Sequence, residues 1–327
     1  FSGYTSGTWN EPVLIKSNNG ETSEVYSTPR IKAVEDGIFA AWVKDLGSEV
    51  FEASVSTDDG ETWSSPAEIE PGSSHYLIYD YDFSVEDDGT IHLVWSSIKD
   101  SADIAYQVFY QKSEDFGATW EDEVLVSGDD SDTSIGARVS QSGNNVYVAW
   151  EQYDSDAAIY SAVFAKSSNS GDSFGTPETL SSSNSVSVIA VTSDSSNIVV
   201  GWIESNDNAE SIIKARSSAN SGSSFSSENI VGSADGSSSS FLEASNDGST
   251  NFYLSWMRLG NDQPRKIECA RSPNSGSSWN TAVNVDGIDN ENENEFRASP
   301  VISANADRVI VFWSESNSGS GASTDQD

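Results

Sequence analysis

The chain has 327 residues, and 52 Asp or Glu against 16 Lys or Arg give it a formal net charge of −36. A surface this acidic repels nucleic acid and anionic membranes, so we expect neither as a partner. No apolar run is long enough to span a membrane, and the single Cys269, read as a small buried hydrophobe, excludes an intrachain disulfide. The acidic, Ser- and Asn-rich composition favours an extracellular or cell-surface location.

Six short runs rich in β-branched and aromatic residues end in tryptophan and recur along the chain. They occupy residues 38–42, 91–95, 146–150, 198–202, 252–256 and 309–313. Runs that are apolar on both faces predict strands sandwiched inside a structure. Six of them predict six units within one domain that covers residues 1–327.

Each unit is predicted to contain four strands, of which the first is an inner strand. The inner strands are predicted at 30–34, 83–85, 138–140, 186–191, 241–244 and 300–303. The Trp-ended strand follows, then a third strand that leads into a turn, then a fourth strand. Four-stranded antiparallel sheets repeated around an axis form a β-propeller, so we predict an all-β, six-bladed β-propeller.

A turn motif of the form Ser-x-Asp/Asn-x-Gly-x-Ser/Thr-Trp/Phe joins the third and fourth strands in five units. Its copies begin at Ser56, Ser113, Ser167, Ser218 and Ser272, with a mean spacing of about 54 residues. Glycine accepts positive φ, and a short Asp or Asn side chain can hydrogen-bond the amides of its own turn. The final aromatic residue is expected to anchor packing between neighbouring sheets. Three copies have Asn in place of the carboxylate, which favours a structural role over a catalytic one.

The two ends of the chain each resemble half of the missing sixth motif. Residues 323–327 look like its first half, and residues 7–15 look like its second half and a fourth strand. We therefore predict that the N-terminal strand completes the last blade and leaves no sheet edge open.

The turn motif resembles the Asp-box, or bacterial neuraminidase repeat, of the sialidase superfamily of six-bladed β-propellers. The resemblance covers nearly the whole chain and implies the fold, but Asp-boxes also occur in many proteins that are not sialidases. In that family the boxes lie on the face away from the active site. The opposite face is built from the loops that enter the inner strands and those that join the second and third strands.

Sialidases resemble one another in an arginine triad that grips a carboxylate, a Tyr/Glu nucleophile pair and an Asp acid/base. Arg30 partly matches the family's first arginine segment, and Arg138 and Arg297 lie near the third and sixth inner strands. Asp80 and Asp82 lie near where the family keeps its acid/base. The resemblance therefore implies these five residues as candidate ligand-binding groups.

The sequence also departs from the sialidase pattern. The arginine segment lacks its proline, the inner strand of the last unit has no tyrosine near residues 295–300, and the fourth and fifth inner strands carry no arginine. We therefore assign no catalytic residue.

A second candidate set lies in the predicted entry loop at residues 71–82. His75, Tyr79 and Tyr81 stand there close to aspartates, and a His–Tyr–carboxylate set can perform general acid/base chemistry, as in some propeller lyases. The other histidine, His92, occupies a position held by apolar residues in other units and is predicted to be a core residue.

Three acidic loops, at residues 129–132, 154–156 and 286–293, could hold Ca²⁺, which favours several oxygen ligands. None has EF-hand spacing, and solvated acidic loops explain them as well. We assign no metal ligand and no cofactor, and leave calcium open.

Our leading interpretation is a non-catalytic, exported or cell-surface propeller that acts as an interaction, carbohydrate-binding or structural module, with a glycan or a surface protein as partner. The alternative is a glycan-active enzyme, either a sialidase-like glycoside hydrolase or a propeller-type polysaccharide lyase. An enzyme requires its arginines to converge in an open pocket, whereas a non-catalytic module allows them to pair with acidic neighbours. The sequence does not specify the oligomeric state.

Overall fold

The computed structural model describes residues 4–5, 8–9, 12–17, 25–45, 49–69, 75, 77–99, 105–128, 132–181, 185–205, 210–233, 238–260, 263–285, 295–306 and 308–317. Every helix or strand in these ranges is a β-strand, which confirms the all-β prediction. Within the same ranges no helix has the length and apolar character needed to cross a membrane.

The strands form five four-stranded antiparallel sheets, which are numbered here in chain order. In each sheet, strands that are consecutive in the sequence are neighbours. The first contains Val25–Val34, Gly37–Asp45, Glu49–Ser56 and Ala67–Ile69, and the second contains Leu77–Val85, Ile91–Ile98, Gln107–Ser113 and Val124–Leu125. The third contains Ser134–Ser142, Asn145–Asp154, Ile159–Ser167 and Glu178–Thr179. The fourth contains Ser185–Asp194, Asn197–Ser205, Ser211–Ser218 and Asn229–Ser233, and the fifth contains Ser238–Asn246, Phe252–Gly260, Gln263–Ser272 and Val283–Asn284.

Two further sheets have two strands each in the described ranges. Glu295–Ala304 pairs with Val309–Asn317 to form the sixth sheet, and Tyr4–Thr5 pairs with Thr8–Trp9. Residues 323–327, predicted as the first half of a turn motif, lie outside the described residues. Completion of the last blade by the N-terminal strand therefore stays a prediction.

The chain divides into two compact units. The first comprises residues 1–139 and 171–173, and the second comprises residues 140–170 and 174–327. The prediction of one domain over residues 1–327 is not tested by this division.

The Trp-ended runs form the second strand of each sheet and are buried in the first five. Trp95, Trp150, Trp202 and Trp256 are among the largest fully buried side chains, and Trp42 is also buried. The sixth run departs from the expectation of burial on both faces, because Val309, Ile310 and Phe312 are exposed. Its sheet has only two strands in the described ranges, so part of this apolar surface has no cover there.

The inner strands lie where the sequence places them, but most begin several residues earlier. Register shifts interrupt the pairing of the first, second, fourth, fifth and sixth inner strands near their starts. Thr28, Val188, Phe241 and Ser299 adopt positive φ at these shifts. A β-bulge adds one residue to a strand and breaks its two-residue periodicity, which hides the start of the strand from a sequence pattern.

The turn motif works as the sequence predicts, through hydrogen bonds from side chains to its own backbone. In the first copy Ser56 Oγ donates to Asp58 Oδ1 at 2.8 Å, and the amides of Gly60 and Thr62 donate to Ser56 Oγ and Asp58 Oδ1 at 2.8 Å each. Asp59 and Gly60 both have positive φ, of 57° and 86°. Hydrogen bonds from Thr62 hold the pKa of Asp58 below its ordinary value, so this carboxylate is committed to the turn.

The aromatic residue that ends the motif packs on another sheet. Trp120, from the second sheet's motif, lies 6.5 Å from the ring centroid of Phe39 in the first sheet. Phe225 lies 4.9 Å from Phe164 in an edge-to-face arrangement that joins the fourth sheet to the third. The prediction that this residue anchors packing between neighbouring sheets is confirmed at these two positions.

Replacing Gly171 with alanine should destabilise the fold, because glycine is required there for two reasons. Its φ is +94°, and an added Cβ would lie 2.0 Å from Tyr110 Oη. Tyr110 is buried and donates to His92 Nδ1 at 2.7 Å, so its ring has little freedom to move. We expect Gly171→Ala to lower the free energy of unfolding by about 2–4 kcal/mol, measured by chemical denaturation.

Two other glycines separate these causes. Gly143 has a φ of +55° with nothing within 4 Å of an added Cβ, so Gly143→Ala reports the cost of backbone strain alone. At Gly175 the nearest atom to an added Cβ is Lys166 O at 3.7 Å, so Gly175→Ala should have little effect. A Gly171→Ala effect no larger than that of Gly143→Ala would contradict the predicted clash.

Candidate functional site

Two candidate arginines, Arg30 and Arg138, belong to the first of the two compact units and contact the same carboxylate. Asp80 accepts from Arg138 Nη1 at 2.6 Å through Oδ2, and its Oδ1 lies 3.5 Å from Arg30 Nη2. Asp82 Oδ1 lies 3.6 Å from Arg30 Nη1. The structure therefore brings Arg30, Asp80, Asp82 and Arg138 together, and we call these four residues the Arg–Asp network.

Backbone groups hold both carboxylates in position. The amide of Tyr81 donates to Asp80 Oδ1 at 2.8 Å, and the amide of Val139 donates to Asp82 Oδ2 at 3.2 Å. Hydrogen bonds to charged acceptors are short and directional. The two carboxylates are therefore held in fixed positions on their strand.

All four residues lie on inner strands. Arg30 follows the bulge at Thr28, and Arg138 follows Gly136, whose φ is +69°. The interpretation of residues 71–82 as one entry loop was wrong for its second half, because Leu77–Val85 is a strand. Asp80 and Asp82 alternate with Tyr81 on that strand and share a face, as expected for residues two apart.

The charge of the Arg–Asp network differs from that of an anion clamp. Its two guanidinium groups face two carboxylates, and all four side chains are 14–28% exposed. A carboxylate ligand would have to compete with Asp80 and Asp82 for the same donors. The network instead offers both hydrogen-bond donors and acceptors to a ligand.

Tyr81 does not reach solvent from this strand. Its side chain is buried, and its hydroxyl lies 2.6 Å from Thr28 O and 2.7 Å from Ala41 O, both acceptors. Burial raises the pKa of the Tyr81 phenol well above its ordinary value. This tyrosine is a core residue that ties the second sheet to the first.

His75 is also buried and lies in a separate cluster. Its Nε2 lies 2.8 Å from Glu123 Oε2 and its Nδ1 lies 2.5 Å from Ser97 Oγ. Because the carboxylate can only accept, Nε2 carries the proton in the neutral ring and Nδ1 accepts from Ser97. Lys99 Nζ donates to the other oxygen of Glu123 at 2.6 Å.

This Ser–His–Glu chain resembles a catalytic triad in its order but not in its accessibility. Ser97 is 0% exposed and His75 is 6% exposed, and the imidazole packs edge-to-face on Trp95 and Phe109. A nucleophile must reach its substrate. The cluster therefore fixes the segment before Leu77–Val85 to the second sheet.

Tyr79 is the one candidate of the second set that faces solvent. Its side chain is 57% exposed, and its ring lies 5.5 Å from that of Tyr106 at an interplanar angle of 66°. The register shift between Ile78 and Asp80 leaves Tyr79 out of the pairing with the neighbouring strand.

The other candidates fall partly beyond what the structure describes. Arg297 lies on Glu295–Ala304, but its side chain is outside the described part of the chain. The acidic segments 129–131 and 286–293 also lie outside it. In the loop at 154–156, Asp154 Oδ1 accepts from the amides of Asp156 and Ala157 at 2.9 Å each, as a turn cap does. Among the described residues no group of three or more His, Cys, Asp or Glu side chains could hold a metal ion.

Sequence reasoning missed Tyr106, Ser97 and Glu123. Tyr106 precedes the strand Gln107–Ser113, and no motif marks it. Ser97 and Glu123 contact His75 from positions 22 and 48 residues further along the chain. Such pairings depend on strand register, which no local pattern in a single sequence reports.

No protein-family model matches the sequence, and no curated relative matches it. Solved structures do match. A protein of unknown function from Dyadobacter fermentans has a TM-score of 0.63 at 13% identity, with 91% of this chain and 92% of that chain covered. A leech intramolecular trans-sialidase has a TM-score of 0.60 at 11% identity, with 96% and 68% covered. An ulvan lyase, from a family of polysaccharide lyases, has a TM-score of 0.57 at 10% identity, with 88% and 80% covered.

At these identities the likeness shows the fold alone. This chain therefore has a sialidase-like β-propeller fold, and the resemblance to the sialidase superfamily is confirmed at that level.

Asp80→Asn should destabilise the first unit, because it removes the charge that faces both arginines. We expect the free energy of unfolding to fall by about 1–3 kcal/mol, less than for a fully buried pair because these groups are partly solvated. Asp172→Asn is the matched control: Asp172 is 62% exposed and lies 3.5 Å from Lys112 Nζ. Loss of the Asp172 charge should lower the free energy of unfolding by at most about 1 kcal/mol, measured by the same denaturant titration. Equal effects of the two changes would contradict a central role for Asp80.

His75 should make stability depend on pH. Burial lowers the pKa of its imidazole, although the hydrogen bond to Glu123 acts in the opposite direction. The unfolded chain then binds a proton at higher pH than the folded chain. The contribution of His75 to stability is complete above an unfolded pKa of about 6.5 and is lost as pH falls through the folded pKa.

The measurement compares wild type with His75→Gln by denaturation at about pH 7.5 and about pH 5.5. The advantage of wild type over the variant should shrink at the lower pH. Ser97→Ala keeps the imidazole, so it should lower stability while retaining the pH dependence. If wild type exceeds His75→Gln in the free energy of unfolding by the same amount at both pH values, His75 is not the source of the pH dependence.

Proposed function

We propose that this chain is a non-catalytic glycan-recognition module, built as a six-bladed propeller with Asp-box turns and acting outside the cell or at its surface. The observation that carries the proposal is the Arg–Asp network. Asp80 contacts both Arg30 and Arg138, so neither arginine is reserved for an anionic substrate.

The chemistry of the network suits a sugar. A sugar hydroxyl both donates and accepts, and the network presents guanidinium donors beside carboxylate acceptors on fixed strands. The side chains are partly exposed, so they are reachable, and backbone amides hold the carboxylates, so little ordering is needed on binding.

The burial of two candidate nucleophiles, Tyr81 and Ser97, supports a non-catalytic role. Tyr81 is buried with its hydroxyl against backbone carbonyls, and Ser97 is buried behind His75. Neither can attack a bound sugar in this arrangement.

The alternative is a glycan-active enzyme. Its support is the structural likeness to a leech trans-sialidase and to an ulvan lyase, together with the presence of a carboxylate, Asp80, between two arginines. A hydrolase or lyase of this kind would turn over a sugar polymer, whereas a recognition module would only bind it.

The test is a glycan array probed with the whole chain, once with calcium and once with a chelator, alongside turnover assays on a fluorogenic sialoside and on ulvan. We expect selective capture and no turnover. Capture that disappears with chelator would add a calcium-dependent site to the proposal. Turnover that is lost in Asp80→Asn would overturn the non-catalytic reading, and silence across the array would overturn glycan recognition.

Arg30→Ala should weaken binding to the captured glycans by at least about tenfold, because it removes a donor from the network. Lys32→Ala is the matched control, since Lys32 is an exposed cation two residues further along the same strand. Circular dichroism of both variants verifies that the fold is intact. Equal losses for the two variants would mean that only net charge, and not the network, contributes.

A further inference from the structure

We infer that the ligand is a neutral, hydroxyl-rich sugar whose ring lies on Tyr79 and Tyr106 beside the Arg–Asp network. This inference rests on the proposed function and names the ligand class. Two independent observations lead to it: an exposed tyrosine ring, Tyr79, supported by the half-buried ring of Tyr106, and the charge balance of the network that begins at the next residue, Asp80.

The tyrosine pair has the features of a stacking platform. Tyr79 is 57% exposed, and Tyr106 meets its ring edge-to-face at 5.5 Å. An exposed aromatic ring held by a second ring loses little freedom when it binds a ligand. A pyranose ring presents an apolar face of C–H groups, which packs on such a ring, and a rim of hydroxyls.

The backbone directs Tyr79 to this position. The register shift between Ile78 and Asp80 takes Tyr79 out of the strand pairing, and a bulge of this kind re-aims a side chain. The amide of Ile78 donates to the carboxylate of Glu49, which holds the start of the shift. Asp80 follows directly, so the Cα atoms of the platform residue and the network residue are about 3.8 Å apart.

The charges select against acidic sugars. A uronate or sialate carboxylate placed at the network would meet Asp80 and Asp82, on a chain whose formal net charge is −36. Like charges brought together in an interface are costly and suppress the wrong partner. Neutral hydroxyls have no such cost and can pair with both the arginines and the aspartates.

The experiment compares pairs of ligands, each pair with a neutral and an acidic member. The probes are lactose with its sialylated form, and galacturonan oligomers with their carboxyl-reduced forms, titrated against the whole chain by saturation-transfer NMR and by calorimetry. We expect the neutral member of at least one pair to bind at least about tenfold more tightly than its acidic partner. Saturation should transfer most strongly to ring C–H protons.

Tyr79→Ala and Tyr106→Ala should each weaken neutral-sugar binding at least about tenfold, while Tyr79→Phe keeps most of it because the ring remains. Tyr153→Ala is the control. Tyr153 also pairs with a second tyrosine, Tyr160, at 5.1 Å, but both belong to the second compact unit, whereas the network belongs to the first. It should leave binding unchanged.

The outcomes separate this inference from the proposed function. Tighter binding of the acidic forms would overturn the neutral class but leave glycan recognition standing. Neutral binding that Tyr79→Ala does not change would overturn the platform. Failure of these probes and of the whole glycan array would overturn both.

Discussion

The hydrogen bonds inside the turn motif are the constraint on which the first five sheets depend. A short oxygen-bearing side chain accepts the amide four residues further on, and the preceding serine hydroxyl accepts the glycine amide, as Asp58 and Ser56 do in the first copy. Asn220 and Asn274 make the same bonds in the fourth and fifth copies. An amide oxygen thus accepts the same backbone hydrogen bond as a carboxylate, so the turn keeps this bond where Asn replaces Asp.

This turn also determines how neighbouring sheets pack. The aromatic residue that ends the motif packs against the preceding sheet, as Trp120 does against Phe39. Two successive residues of the turn, such as Ser170 and Gly171, have positive φ. At Gly171 a side chain would also clash with Tyr110, so glycine is required there.

Two bulges in the inner strands adjoin the candidate site. Arg30 follows the one at Thr28 and Asp80 follows the one at Tyr79, and Asp80 bridges Arg30 and Arg138. The bulge at Val188 is held by a hydrogen bond from its amide to Glu151 at 2.9 Å, much as Ile78 is held by Glu49. A β-branched residue with positive φ is strained, and a carboxylate on its amide offsets that strain.

The repeats in the sequence were sufficient to predict the strands, the turns and the packing role of the motif's aromatic residue. They were not sufficient for the start of Leu77–Val85, because a bulge breaks the alternation on which strand prediction depends. Pattern also failed for the sixth Trp-ended run, since burial depends on what covers a strand and not on its own composition. The residue types of the candidate site could be proposed from the family resemblance.

Their pairing could not be proposed, since it depends on contacts between distant strands. Asp80 lies 58 residues from Arg138, and only the three-dimensional register shows that they meet. The same holds for His75 and Glu123, which turn a candidate general base into a buried structural group.

The buried tryptophans can serve as intrinsic fluorescence probes of the individual sheets. One stands at the same position of the second strand in each of the first five sheets, and three of them, Trp42, Trp202 and Trp256, donate their indole N–H to a glutamate at 3.0–3.3 Å. Indole emission shifts with polarity, so each sheet carries its own chromophore in a defined electrostatic setting. Replacing the other nine of the chain's ten tryptophans with phenylalanine, so that only one of these five remains, would let fluorescence follow a single sheet and show whether the sheets melt in sequence or together.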